Sequence, residues 1–380
     1  MEISDLTPGD LDDVLDLRKR SFGPLSAAEA ERWRRIVTPS LGEGRYLGVA
    51  DGGRLAAAAR IRQFTQWWHG RPQPMAGVAG VTVNPEDRGR GVGTRLMRAV
   101  IDRAADQGNA VSALFPATTP IYRSLGYEHA GAQHVLTVRA GSLRGIRPSG
   151  QVKLRRMGPG DAAEVVSLLH RVHAAARSSG PVSWDEATWR VRLADEDDFL
   201  YLADDGYVSY RWSGDDIRVE NLVAVSEDTT RALWSMVGSA SSIAEKVVAP
   251  VAPDDPVLWL LGERSKDQVA QYRWMSRVLD VAAATERRGY PAAVSGEAVI
   301  TVDDPRRGGG TWRLTFSGGT CTPTPADVAG PALPIGAFSA LYAGIPTSTL
   351  RRTGLLTGDD QYDELLDTAF AAKPYMLDYF

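Results

Sequence analysis

The chain of 380 residues has a single cysteine, Cys321. No intramolecular disulfide can form, and the composition suits a reducing compartment. With no histidine partner in sequence, a nucleophilic role for Cys321 is not expected either. Histidine is scarce, with five in the chain. His170 and His173 stand three apart on an expected helix, but no cysteine, third histidine or carboxylate pattern completes a ligand set. Both are therefore expected at the surface, and no metal is expected. Lysine occurs five times, at Lys19, Lys153, Lys246, Lys266 and Lys373, among 43 basic residues. With the many alanines, that arginine bias reads as a GC-rich genome rather than a function. The net charge of −4 argues against a global nucleic-acid binder. No run of 18 apolar residues exists, so no membrane span is expected. The first twenty residues carry Asp5, Asp10, Asp12 and Asp13 where a signal peptide would need an apolar stretch. The expected location is the cytoplasm.

What is present is the composition of a folded globular protein, 43% hydrophobic and too long for one ordinary core. Two or three domains are expected. The N-terminal part reads as strand, helix, helix, then a hairpin from Tyr46 to Ile61 turning at Asp51-Gly52-Gly53. Gln63 to Pro74 is aromatic and proline-rich and reads as a loop or strand edge. Within it Trp67, Trp68 and His69 could line a cleft, form a subunit interface or simply pack. Met75 to Val83 is a strand, Ala110 to Phe115 another, Thr119 to Leu125 a short helix, and Tyr127 to Val138 a strand pair. Ser142 to Gly150 is a candidate linker. Beyond it Leu154 to Ala162 echoes Leu6 to Leu11, and Val223-Ala224-Val225 echoes Val81-Thr82-Val83. This reads as a duplicated fold. Near Arg277 the texture changes again, and strands at Ala298–Val302 and Thr311–Phe316 precede two helices. The expected division is 1–145, 146–275 and 276–380.

The chemistry concentrates in Val81-Thr82-Val83-Asn84-Pro85-Glu86-Asp87-Arg88-Gly89-Arg90-Gly91-Val92-Gly93-Thr94. Alternating apolar residues end a strand, and Leu96, Met97, Val100, Ile101 and Ala104 then recur at helical spacing. A glycine-rich turn at a helix N-terminus exposes backbone N–H groups at the positive end of the helix dipole, which suits a pyrophosphate, and the arginines add charge. No Gly-Lys-Ser/Thr follows, which excludes a P-loop. The G-x-G-x-G spacing and the lack of a ribose-binding acid exclude a dinucleotide fingerprint. In the second copy Asp228, Thr229 and Thr230 stand where the glycines should, so one working phosphate site is expected in the duplicated fold.

The core Arg88-Gly89-Arg90-Gly91-Val92-Gly93 resembles the acetyl-CoA motif of the GNAT acetyltransferase superfamily. Ile121-Tyr122 with Gly126-Tyr127 resembles that superfamily's Y-x-x-x-G-F/Y stretch, in which the tyrosine faces the CoA sulfur. A phenol is protonated at neutral pH and can protonate a departing thiolate. The two flanking strands should splay so that the thioester inserts between them. The chain also ends in an apolar, aromatic tail, Tyr375-Met376-Leu377-Asp378-Tyr379-Phe380, where most chains fray. The tail either closes a core or fixes the α-carboxylate of Phe380 where it can attract and deprotonate an ammonium group.

Together these segments resemble the Eis family of actinobacterial N-acetyltransferases over nearly the whole chain. The resemblance implies an α/β architecture of tandem GNAT folds, mixed sheets flanked by helices, followed by a sterol-carrier-like domain. It implies Tyr122 as general acid and the Phe380 carboxylate as general base. It implies acetyl-CoA held by Val81, Thr82, Val83, Arg88, Gly89, Arg90, Gly91, Val92, Gly93 and Thr94, with Ala117 and Thr118 completing the set. Phe22 and Trp33 fall on early helices that border the acceptor in this superfamily, and Asp378 could add negative charge for an amine. The acceptors implied are small cationic amines such as aminoglycosides, with polyamines or lysine side chains also possible, and the assembly implied is a homohexamer. A carrier of lipid or another apolar ligand, or an enzyme using a different acyl-CoA, are the competing readings.

Overall fold

The computed structural model describes residues 1–262 and 268–380. Its strands, in chain order, are β1 (Glu2–Asp5), β2 (Tyr46–Asp51), β3 (Arg54–Trp68), β4 (Arg71–Val83), β5 (Val111–Leu114), β6 (Glu128–Arg139), β7 (Arg155–Arg156), β8 (Val182–Ser183), β9 (Phe199–Ala203), β10 (Gly206–Ser213), β11 (Asp216–Ala224), β12 (Lys246–Val251), β13 (Gln268–Val278), β14 (Gly296–Asp303), β15 (Gly310–Ser317), β16 (Thr320–Pro325) and β17 (Ala332–Pro334). One thirteen-stranded sheet runs β1-β2-β3-β4-β5-β13-β6-β12-β11-β10-β9-β7, with β8 paired to β3.

The order reads the same from both ends. β1 to β4 form an antiparallel run, β5 joins β4 in parallel, and β13 closes against β5 antiparallel. From the other end β7, β9, β10 and β11 form the antiparallel run, β12 joins β11 in parallel, and β6 closes against β12 antiparallel. The duplication is therefore carried by topology as well as by sequence. Each copy's closing strand comes from the other copy, and the two closing strands pair with each other. β13 runs across the boundary expected at 275, because this exchange stitches the two halves through backbone hydrogen bonds.

Four helices position the site: α1 (Leu11–Phe22), α2 (Ala27–Gly42), α3 (Val92–Asp106) and α4 (Pro120–Arg123). The period-3.6 apolar residues of α3, from Val92 through Leu96, Met97, Val100 and Ile101 to Ala104, are all buried against the first copy's sheet.

One open choice is decided and one sequence expectation is corrected. Of the loop and the strand edge read for Gln63 to Pro74, the strand holds: β3 and β4 form a long hairpin turning at His69-Gly70, with Trp67 and Trp68 wholly buried. Tyr127 to Val138 is not a strand pair but the single strand β6.

The third region carries the sheet β16-β15-β14-β17 and packs its helix Ile335–Tyr342 on β13 and β6. Arg277 of β13 joins it to the rest. Its guanidinium is buried, binds both oxygens of Asp304 at 2.9 Å, and donates to the carbonyls of Leu125 and Val278. Arg288, also buried, lies 5.3–5.4 Å from the rings of Trp68, Tyr290, Tyr342 and Phe370. Removing one partner of a buried pair strands the other charge, which costs roughly 3–5 kcal/mol. Asp304→Ala is expected to lower stability by about that much in denaturant unfolding, and an unchanged midpoint would contradict the role given to the pair.

Candidate active site

β4 and β5 pair only at Met75–Val111, Ala76–Ser112 and Gly77–Ala113. β4 then continues to Val83 while β5 ends at Leu114, so the strands part as expected. An extra residue near Gly80 bulges β4 against β3, where Arg60 pairs with Ala79 and Ala58 with Thr82. Alternation along the strands divides the side chains. Ala76 and Val78 face the cluster of α3, whereas Met75 faces the large core that includes Phe64.

The turn after β4 holds Gly89 and Gly91 at φ near +76° and +78°, a conformation that side chains disfavour. Among the described residues, no protein acceptor takes the N–H of Gly89, Arg90 or Gly91. Gly91 precedes α3 without a side-chain cap. The result is an open, anion-seeking helix N-terminus. Its shape is fixed from below. Asp87, 1% exposed, binds Arg54 and Arg90 at 2.7 Å each, and Arg90 also binds Asp51 at 2.9 Å. The Arg90 guanidinium is thus committed to tying the turn to the β2–β3 hairpin, and Arg88 Nε donates to the Val83 carbonyl. Gly93 packs α3 against Val83 and Ile121. Ala117 and Thr118 are exposed after β5.

Tyr122 lies on α4, buried in the α3-side cluster, its ring 6.1 Å from that of Tyr127. The Tyr122-x-x-x-Gly126-Tyr127 spacing has a local cause. Gly126, at φ +84°, ends the turn, with its N–H donating to Arg123 O and the Tyr127 N–H to Tyr122 O, both at 3.0 Å. This is a Schellman closure, which needs a left-handed residue at Gly126. The Tyr127 hydroxyl then meets Ser112, which donates to Ala76 O at 2.9 Å. Burial raises the Tyr122 pKa above the usual phenol value and pushes that of Tyr127 to about 12.

Phe380 arrives from the other side of the sheet. Its ring lies 4.7 Å from Phe64 and 5.5 Å from Phe115, and a Cβ on Gly77 would come within 2.8 Å of it. The preceding tail is tied down throughout. Ala132 of β6 donates to Pro374 O and accepts from the Met376 N–H, and the Gln133 side chain donates to Leu377 O at 2.7 Å. Asp378 is buried and accepts from Trp184 at 3.1 Å, with Arg192 at 3.4 Å. It also lines a cavity of about 470 Å³ with Glu220, Tyr272 and Tyr379. The tail thus reaches the splay between β4 and β5 from one face while Tyr122 borders it from the other.

Phe64, Trp184 and Arg192 were not foreseen. Phe64 lies on β3, far in sequence from Trp184, just after β8, and from Arg192, at the end of the helix Glu186–Arg192, and only Phe64 fell in a stretch singled out for its aromatics. Phe22 is 56% exposed at the end of α1, and Trp33 packs on the separate small cluster of α1 and α2. Neither joins the cluster around Phe380. His173 corrects another expectation: it is buried against Trp67 at 4.8 Å, and desolvation pushes its pKa down to about 3. Among the described residues no group of three or more His, Cys, Asp or Glu could hold a metal, and no helix is long and apolar enough to cross a membrane.

Residues 2–130 and 180–278 match the acetyltransferase (GNAT) domain, and residues 281–377 match the sterol carrier protein domain. The N-acetyltransferase Eis of Mycobacterium bovis is 31% identical over 324 residues, covering 79% of this chain and 78% of its own. The chain belongs to the Eis family of GNAT N-acetyltransferases. An uncharacterized N-acetyltransferase of Streptomyces avermitilis is 29% identical, with 87% of this chain and 90% of its own covered. The crystal structure of a GCN5-related N-acetyltransferase from Kribbella flavida is 47% identical and superposes with a TM-score of 0.96, covering all of this chain and 98% of its own. The chain shares its fold with Eis1 of Mycobacterium abscessus, at 22% identity and a TM-score of 0.76 over the full length of both. As an Eis-family GNAT protein the chain is an N-acetyltransferase, and GNAT acetyltransferases use acetyl-CoA.

Because Gly77 lies under the Phe380 ring, Gly77→Val overpacks the tail's seat, a change that costs about 1–3 kcal/mol. Release of Phe380 by carboxypeptidase is expected to be several-fold faster in the variant. Equal release rates would mean that the ring does not rest there.

Proposed function

We propose that this Eis-family enzyme acetylates primary amines of cationic acceptors, aminoglycosides above all, with polyamines and lysine side chains as lesser candidates. The observation that carries the reading is the splay between β4 and β5, with an uncapped glycine turn at one end, Tyr122 on one face and the C-terminal Phe380 on the other. The backbone of Val81 to Val83 and of Gly89 to Thr94 holds acetyl-CoA, its pyrophosphate on the free N–H groups of the turn. Ala117 and Thr118, exposed after β5, complete the cofactor-binding set.

The acceptor amine loses its proton to the Phe380 carboxylate and attacks the thioester carbonyl. N–H groups near Val81 stabilise the oxyanion. The C–S bond breaks, the leaving thiolate takes the Tyr122 proton, and the second proton leaving the new amide nitrogen restores the phenol through water. Burial suits that role, because it keeps the phenol neutral at working pH. Glu220 and Asp378 beside the tail share their cavity with Arg218 and Arg192, which pair with them, so it is the family resemblance that points to a cationic acceptor, and Phe22 and Trp33 would border its far end. The second copy has no glycine turn and serves as scaffold. A homohexamer in the cytoplasm is the state the family resemblance implies.

CoA release, followed with a thiol reagent across aminoglycosides, polyamines and lysine peptides, tests the acceptor class. Turnover confined to peptides would sink the aminoglycoside assignment. Tyr122→Phe is expected to lower kcat about 10²–10⁴-fold with acetyl-CoA affinity retained. Because the Tyr122 pKa is raised, its donor form persists beyond the ordinary phenol value of about 10. The kcat profile should therefore show no falling limb from Tyr122 below about pH 10. A falling limb near neutrality that disappears in Tyr122→Phe would contradict the raised pKa, whereas wild-type kcat in Tyr122→Phe would remove Tyr122 as the donor.

A further inference from the structure

The second copy has lost the phosphate turn and kept the cleft. β11 and β12 pair in parallel only at Ile217–Val247 and Arg218–Val248, then diverge as β4 and β5 do. A cavity of about 490 Å³ opens at their C-terminal ends, at the position equivalent to the splay of the first copy. That volume lies in the usual range of small-molecule sites, about 300–1,000 Å³. Leu222 and Val223 of β11, Ala252 and Asp255 after β12, and Thr230 of the following helix (Glu227–Gly238) line it.

The chemistry of the walls narrows the ligand. The helix N-terminus that would greet a pyrophosphate is already filled. Ser226 Oγ accepts the Thr229 N–H at 3.2 Å, and the Asp205 carboxylate accepts the Ser226 N–H at 2.9 Å and the Thr229 hydroxyl. A fixed carboxylate at that pole repels a phosphate. Elsewhere the lining carries Asp254 and Asp255 against Arg177 and Lys373, with Lys373 on Asp254 at 2.7 Å, so no net charge selects an ion. One resource of a CoA cleft remains. β11 pairs with β10 along one edge as far as Ala224, while β12 leaves its other edge after Arg218. Of that edge, Leu222 to Ala224 line this cavity, whereas Val219 and Glu220 line the one beside Asp378; among the described residues β12 does not pair with them, and an extended chain of amides is what such an edge binds.

We propose that this cleft binds a neutral, extended, amide-bearing small molecule, the pantetheine part of a CoA-like ligand without its phosphates. The reading rests on the first copy being the CoA site, through the equivalence of the two clefts and through the choice of competitor. The far wall of the cavity is the C-terminal tail, at Tyr375 and Leu377. A ligand there touches the segment that carries Phe380 to the splay.

Calorimetric titration of the full chain tests it. CoA alone is expected to bind at one site per chain. With CoA saturating, D-pantetheine is expected to bind one further equivalent. Ala176→Trp, which fills the cavity from an exposed helix end, should abolish that binding while leaving the CoA titration and thermal melting unchanged. Pantetheine binding that saturating CoA blocks entirely, that is absent altogether, or that survives in Ala176→Trp would overturn the proposal. CoA failing to bind at all would instead overturn the cofactor assignment, and the pantetheine titration of the wild type and Ala176→Trp would still decide this one.

Discussion

The seating of the last seven residues is the constraint on which the rest of the molecule depends. A chain end costs conformational entropy to order, and here that cost is offset at every step. Ala132 and Gln133 of β6 bind the tail backbone, Asp378 is buried under Trp184 and beside Arg192, and the Phe380 ring packs on Phe64. Gly131 lets the Pro374 carbonyl approach β6 where any side chain would collide. The partners come from both copies of the duplicated fold, while the tail belongs to the third region. The candidate site therefore exists only when all three regions are assembled.

The exchange of closing strands serves the same end. β6 leaves the first copy to pair with β12, and β13 returns to lie against β5. Both strands lie inside a continuous sheet, which leaves no free edge at the junction. Arg277 on the returning strand then reaches both the loop below Tyr122 and Asp304 of the third region. The geometry of α4 and the docking of the third region are thus coupled through one buried guanidinium.

Legibility in the sequence followed the range of the interactions. The glycine turn and the Tyr122–Gly126 spacing were readable because both are local. Left-handed glycines and a helix closure are written in adjacent residues. The repeat was readable from the paired Pro-Gly-Asp and Val-x-Val stretches. The β3–β4 hairpin was legible only as the strand-edge half of an open choice, because Pro72 and Pro74 also suggest a loop. They are tolerated because β5 joins β4 only from Met75 onward, so the prolines sit on an edge that needs no N–H. His173 looked like a surface residue because its burial comes from Trp67, a hundred residues earlier. The strand exchange and the anchoring of Asp378 by Trp184 and Arg192 are pairings between distant segments, which no local pattern encodes.

The central claim is that the free carboxylate of Phe380 takes part in the reaction at the splay. The most direct measurement is the turnover of a chain extended by a single glycine after Phe380, with acetyl-CoA affinity and thermal stability measured alongside. Turnover should be lost while acetyl-CoA still binds and the fold is unchanged. Full turnover from the extended chain would contradict the account.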